Sequence, residues 1–355
     1  MNQTGHELVN DSTVDDGAET LRQAIQQLLQ QSMPPSFGDR FNQEKAEAHA
    51  LSVEILPRDN TKKRSLRCVG WRATTDCSPS GPRDPSHDKS CMEAVPAAES
   101  GYCEVQDRQS GELFRVMRRH CNSIKNGGLF RCSDAEDFAN FPLLALEAVE
   151  KTRVSGFALP NVGRSVGRDG IVMVVYPKLL ASAYASIRTL REVLSCHLPI
   201  EIWFRQKEMN RVPGSLKTLQ HLADSDAFGG ISLQELQDPL AIGFNAKIHA
   251  IYNSFFDRVL FLDADNVPVR NPGFLFESPE FGETGAVFWP DFWHPTRTIF
   301  NIQPKSLLWE LLDLPFVDMF EQESGQLLID RRRHASALEL TAFYAFHRPS
   351  HLNRE

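Results

Sequence analysis

The sequence predicts an α/β fold with a mostly parallel central sheet flanked by helices. Three observations carry that reading. Short, wholly apolar runs recur from Ile171 onward, as strands buried on both faces require. Between them lie stretches whose apolar residues repeat at helical spacing. The connections are long enough for crossover helices, which parallel strands need.

Taken in order, residues 1–110 predict a poorly ordered, linker-like region. One amphipathic helix is expected over Glu19–Gln31, ended by Pro34-Pro35, and the Pro- and Ser-rich stretch from Cys77 to Ser100 has little core of its own. Residues 111–164 predict a helical lead-in. One helix is expected over Leu113–His120 and a second after Ser133 as N-cap, with Asp134, Glu136 and Asp137 in its first turn. Pro142 is expected to kink or split that second helix. The domain predicted over 165–355 begins with a strand at Ile171–Val175. Pro177 opens a helix whose apolar face is Leu180, Ala183, Tyr184, Ile187, Leu190 and Leu194. Leu198–Phe204 predicts the next strand, Ala241–Phe255 a helix, and Arg258–Leu262 a third buried strand. Ala286–Trp289 and Gly325–Asp330 supply two more.

With 41% hydrophobic and 24% charged residues, the composition is that of a globular protein. The net charge of -8 argues against a nucleic-acid partner. No apolar run is long enough to span a membrane, and no signal peptide is visible at the start. Seven cysteines, at 68, 77, 91, 103, 121, 132 and 196, show neither CxxC nor zinc spacing. Their crowding into a polar stretch suits disulfides, their odd number suits scattered thiols, and the compartment stays open. Asn2-Gln3-Thr4 and Asn10-Asp11-Ser12 are glycosylation sequons.

Chemistry concentrates after the strand Arg258–Leu262, where Asp263-Ala264-Asp265 follows directly. Ligands of open parallel sheets bind beyond the carboxyl ends of the strands. On an extended backbone, residues two apart share a face, so the two carboxylates converge. A divalent cation removes their repulsion, and oxygen-only ligation suits Mn²⁺ or Mg²⁺ completed by substrate phosphate. The chemistry implied is stabilisation of a departing phosphate. Asp263-x-Asp265-x-Val267 also fits the opening motif of haloacid-dehalogenase-like phosphatases. That fold would put the motif on the first strand, whereas two strands precede it here, and would need a second acidic pair downstream.

From about Arg131 onward the chain resembles the Golgi α-1,3-mannosyltransferase family, glycosyltransferase family 71. The resemblance rests on Asn245-Ala-Lys-Ile-His249, the block Arg258–Pro268, Gly285-Ala-Val-Phe-Trp-Pro-Asp-Phe-Trp293, and Phe320–Asp330. It implies a GT-A-like nucleotide-diphospho-sugar transferase fold, Mn²⁺, a GDP-mannose donor, a glycan or glycoprotein acceptor, retention at the anomeric carbon and a Golgi location. By position, Asp263 and Asp265 become metal and nucleotide residues, Lys247 the diphosphate-facing lysine, and Tyr176 a base contact. Trp289, Phe292 and Trp293 are candidates for a sugar platform, with Asp291 among them as a sugar-binding carboxylate. Glu323 and Gln326 are candidates for contacts to the transferred mannose or the acceptor hydroxyl. Arg331-Arg-Arg333 reads as a solvated charged run, and His347 and His351 are spaced to share a helix face. Members of the family carry an N-terminal anchor and continue past the equivalent of Glu355. A shortened domain that binds sugar nucleotide without turnover is therefore the second reading.

Overall fold

The computed structural model describes residues 53–58, 61–163, 168–227, 230–291, 302–319 and 321–347. The helix expected at Glu19–Gln31, both sequons, Phe292, Trp293 and His351 lie outside the described residues. The chain divides into two units at Glu54, the second being Ile55–Glu355. Every element from Leu66 onward belongs to the second.

The stretch expected to be linker-like is an ordered, disulfide-stapled sheet. Strands β1 (Leu66–Thr74), β3 (Ser100–Asp107) and β4 (Leu113–Arg119) pair antiparallel in the order β4-β3-β1, while β2 (Val95–Pro96) pairs with β5 (Leu129–Phe130). Three disulfides, Cys68–Cys91, Cys77–Cys121 and Cys103–Cys132, cross this region. Its small core is Trp71, Cys103, Val105, Val116, Phe130 and their neighbours. Charged residues of this region pair with one another: Lys89 with Glu99 at 2.7 Å, Arg83 with Asp88 at 2.7 Å, Arg72 with Glu104 at 2.9 Å. Cross-links and ion pairs here replace the apolar residues whose scarcity suggested disorder.

Leu113–Arg119 is a strand, not a helix. Phe114 and Val116 enter the core while Arg115 stands opposite Glu104 on β3, and that pairing overrides local helical preference. Helix α1 (Ala135–Glu150) is entered through a 3₁₀ turn at Cys132–Asp134 rather than a Ser133 cap, and it runs through Pro142 unbroken. Packing holds it on both sides of the proline. Phe138 joins the core of the stapled sheet, and Phe141 meets Phe343 and Tyr344 with ring centroids 5.2 and 5.8 Å apart.

The second sheet has six strands: β6 (Asp169–Val174), β7 (Ile200–Phe204), β8 (Ile231–Glu235), β9 (Arg258–Leu262), β10 (Ala286–Pro290) and β11 (Gln322–Asp330), in the order β10-β11-β9-β6-β7-β8. Neighbours among β9, β6, β7 and β8 are parallel, and β11 is antiparallel to both β9 and β10. The expected fold class is the observed one, with β8 and its preceding helix α3 (Ser215–Asp224) added. Helices α2 (Leu180–Arg188) and α3 cover one face, whose core includes Ile171, Met173, Ile187, Ile202, Leu260 and Leu262. Helices α4 (Asn245–Asn253) and α7 (Ala335–Phe346) cover the other, over Val172, Val174, Trp203, Val259 and Phe261. Short helices α5 (Pro279–Thr284) and α6 (Leu308–Leu312) complete the outer shell. Among the described residues no helix is long and apolar enough to cross a membrane.

In the run Arg331-Arg-Arg333, Arg332 and Arg333 are exposed as expected, and Arg331 departs from the expected solvated state. Arg331 is fully buried and donates to the carbonyls of Tyr252, Ser254, Phe256 and Pro160 at 2.6 to 2.7 Å. Arg332 pairs with the buried Asp257 at 2.9 Å, and Arg333 donates to the Gly282 carbonyl at 2.8 Å. These arginines tie the far end of the sheet together.

Candidate active site

After Arg258, strand β9 is apolar because both faces of the sheet are covered, so Asp263, the polar residue directly after it, marks the exit from the core. The backbone does not stay extended there. Ala264 and Asp265 form a turn, closed by the Asn266 N–H donating to the Asp263 carbonyl at 2.9 Å. Ala264 is buried and Asp265 exposed. The two carboxylates are therefore neighbours through a turn rather than through strand alternation, and Asp265 acts on Asp263 through its charge.

Antiparallel pairing brings β11 to the same spot. Gln326 stands opposite Leu262, and the Asp263 N–H donates to the Gly325 carbonyl at 2.8 Å. This register carries Glu323, Ser324, Gly325 and Gln326 to the carboxyl end of β9. Glu323 accepts from the Gly325 N–H at 2.5 Å, and Asn266 Nδ2 donates to the Gly325 carbonyl at 3.3 Å and lies 3.5 Å from Gln326 Oε1. The space above Asp263 depends on Gly325 having no side chain. A Cβ there would stand 3.3 Å from Asp263 Oδ2 and 2.9 Å from Glu323 Oε1.

Helix α4 supplies the third part. Lys247 Nζ donates to Asp263 Oδ2 at 2.6 Å and to the Ser324 carbonyl at 3.3 Å, and it stands 5.7 Å from the ring centres of both Phe244 and Phe261. Burial pushes the Asp263 carboxyl above the usual carboxylate range. Lys247 opposes that, while Asp265 and Glu323 add to it. Carboxylates gathered at one partly dry point fit a divalent cation. Among the described residues no three His, Cys, Asp or Glu form a ready ligand set. Mg²⁺-like ions are commonly held by one or two carboxylates and substrate phosphates, so Asp263 and Asp265 meet that pattern.

The other expected residues are distributed around this centre. Tyr176 follows β6 with its ring packed against the core, and its hydroxyl donates to the Gly243 carbonyl at 2.9 Å. Burial pushes that phenol up to about 12, helped by Glu208 and Asp263. Asp291 follows β10, two strands from Asp263, and its N–H donates to the Glu321 carbonyl at 2.7 Å. Trp289 and Gln326 share a cavity of about 550 Å³ with Leu262, Asn266, Arg270 and Phe274. His347 stacks on Phe343 at 4.6 Å beyond the end of α7, remote in sequence and role from the acidic turn. The sequence reading passed over Asn266, Ser324, Gly325 and Phe244. Asn266 was findable as the polar residue closing the acidic turn, but the others owe their place to tertiary register.

The curated relatives and the family model both point to mannosyltransferases. Over 228 residues the chain is 28% identical to "Alpha-1,2-mannosyltransferase MNN21" of Candida albicans, covering 52% of this chain and 34% of that protein. It is 26% identical over 234 residues to "Alpha-1,2-mannosyltransferase MNN5" of Saccharomyces cerevisiae, covering 52% and 39%. The chain thus spans little more than a third of the length of these curated relatives. Among solved structures, the mannosyltransferase Ktr4p of Saccharomyces cerevisiae aligns with a TM-score of 0.32 and 11% identity, covering 62% of this chain and 74% of that one. A likeness that distant carries no argument. The family model described as "Mannosyltransferase putative" matches residues 168–354, more than half of the chain, with the acidic turn, Lys247 and β11 all inside. The chain belongs to that mannosyltransferase family.

Proposed function

We propose that this chain transfers a mannosyl group from GDP-mannose to a hydroxyl of a mannose-containing glycan, with Mn²⁺ held by Asp263 and Asp265. The observation that carries this reading is the acidic turn at the end of β9, with Lys247 Nζ 2.6 Å from Asp263 and Gly325 of β11 packed closely against Asp263 and Glu323. A bound cation would offset charge developing on the departing diphosphate, which is worth several kcal/mol in such transfers. Lys247 adds a second positive charge at the same point, and Asn266 holds the turn in place. Glu323 and Gln326 face the transferred mannose or the acceptor hydroxyl, and Asp291 binds a sugar hydroxyl from the neighbouring strand end. Retention at the anomeric carbon follows from the family resemblance. The relatives' names favour an α-1,2 linkage over the α-1,3 linkage first expected.

Three disulfides support folding in an oxidising lumen, in keeping with a Golgi location. The deciding experiment incubates the chain with GDP-mannose, Mn²⁺ and a mannoside acceptor, and digests the product with a linkage-specific mannosidase. Mannose transfer that disappears in Asp263→Asn and Asp265→Asn supports the reading. Unchanged transfer in both variants refutes it, and Mn²⁺-dependent GDP-mannose binding without product would make the chain a binding protein.

A further inference from the structure

The loop leading into α4 exposes three apolar side chains, Leu240, Ile242 and Phe244, the last 67% exposed. Isolated exposed apolar residues are ordinary, but this loop is tethered throughout. Tyr176 donates to the Gly243 carbonyl at 2.9 Å, Arg205 to the Ala241 carbonyl at 3.1 Å, and the Leu240 N–H to Asp238 at 2.8 Å. An aromatic ring is thus held outward on a fixed backbone beside the acidic turn. Its centre lies 5.7 Å from Lys247 Nζ, which in turn lies 2.6 Å from Asp263 Oδ2. Lys247 is thus the shared neighbour of the ring and the carboxylate, within reach of one nucleoside diphosphate.

We propose that Phe244 is the platform on which the nucleotide base stacks, an assignment that rests on reading Asp263, Asp265 and Lys247 as the diphosphate and cation site. Tyr176 was the base contact expected from its strand-end position. Its ring is packed against the core and its hydroxyl holds Gly243, so it acts as a positioning residue for the loop that presents Phe244. Aromatic stacking tolerates any base because every base has a π-face. Phe244 therefore supplies affinity for the nucleoside and leaves discrimination between guanine and other bases to other groups.

The test uses the full chain with Mn²⁺ and titrates GDP, UDP and inorganic pyrophosphate by calorimetry. Phe244→Ala is expected to weaken GDP and UDP by similar factors, about tenfold to a hundredfold, and to leave pyrophosphate unchanged. Phe244→Trp keeps GDP affinity and adds a fluorescence signal quenched by the nucleotide. Undiminished GDP binding in Phe244→Ala overturns the proposal. So does an equal loss of GDP and pyrophosphate, which would mean that the ring acts on Lys247 instead. If the unaltered chain binds neither GDP nor pyrophosphate with Mn²⁺, the cation-site reading itself falls, and this proposal with it.

Discussion

The stapled antiparallel sheet and the six-stranded sheet solve the same problem by different means. The first has a single small core, and three disulfides close loops across it. The second is covered by apolar side chains on both faces and contains no disulfide among the described residues. Cross-links act largely by restricting the unfolded chain, whereas burial acts on the folded one. The charged groups differ in parallel. Several of those in the stapled sheet pair off locally, while at the end of β9 several carboxylates stand near one lysine. Reactivity sits where the fold leaves charges incompletely matched.

Substitutions can break or sharpen this contrast. The largest effect is expected for Asp263→Asn combined with Asp265→Asn: about a thousandfold loss of Mn²⁺-dependent transfer with the melting temperature nearly unchanged. A large fall in melting temperature would show the acidic turn to be structural. Replacing Cys103 and Cys132 by alanine should cost about 2–5 kcal/mol of stability in denaturant titrations and leave Mn²⁺–GDP affinity intact. Loss of nucleotide binding by the still-folded variant would join the two regions functionally. Arg331→Met strands four backbone carbonyls and should cost about 3 kcal/mol, read from the urea midpoint, which would show that the larger sheet too depends on a polar clamp. Gly325→Ala narrows the space over Asp263 and should weaken Mn²⁺–GDP binding about tenfold or less, with no change in fold by circular dichroism.

The smallest effect is one of pH. Asp263 is pushed up chiefly by burial, so the fold favours its protonated form. Its contribution to stability is therefore present below the ordinary carboxylate range and lost as pH rises through the raised value. Cation binding needs the deprotonated form, so Mn²⁺–GDP affinity should begin to fall at a higher pH than an ordinary aspartate would give. Titration of that affinity between about pH 4 and 7 checks the sign, and Lys247→Met should move the fall to still higher pH.

Much of the larger sheet was legible because its strands are short apolar runs bounded by polar residues. Arg258–Leu262 lies where the pattern placed it, and Asp263 falls at its end. Strand alternation was expected to bring Asp263 and Asp265 to one face, but the backbone turns at Ala264 and Asp265 instead. Leu113–Arg119 was misread because its helical composition yields to pairing with β3. The stapled sheet was hidden by its own chemistry: disulfide partners are not encoded in spacing, and residues that pair in space look solvated in a string. Arg331 was read as exposed because its four acceptors come from segments distant in sequence. Phe244 and Gly325 matter through what stands opposite them, which no local pattern reports.

The seventh cysteine has a consequence for how the molecule matures. Cys196 is enclosed in the core beneath the six-stranded sheet, and the six other cysteines are paired with one another between positions 68 and 132. Burial raises its thiol's proton affinity, which suppresses the reactive thiolate. Mispairing is thus confined to chains whose larger sheet has not yet closed, and completed folding itself protects the native cross-links from scrambling.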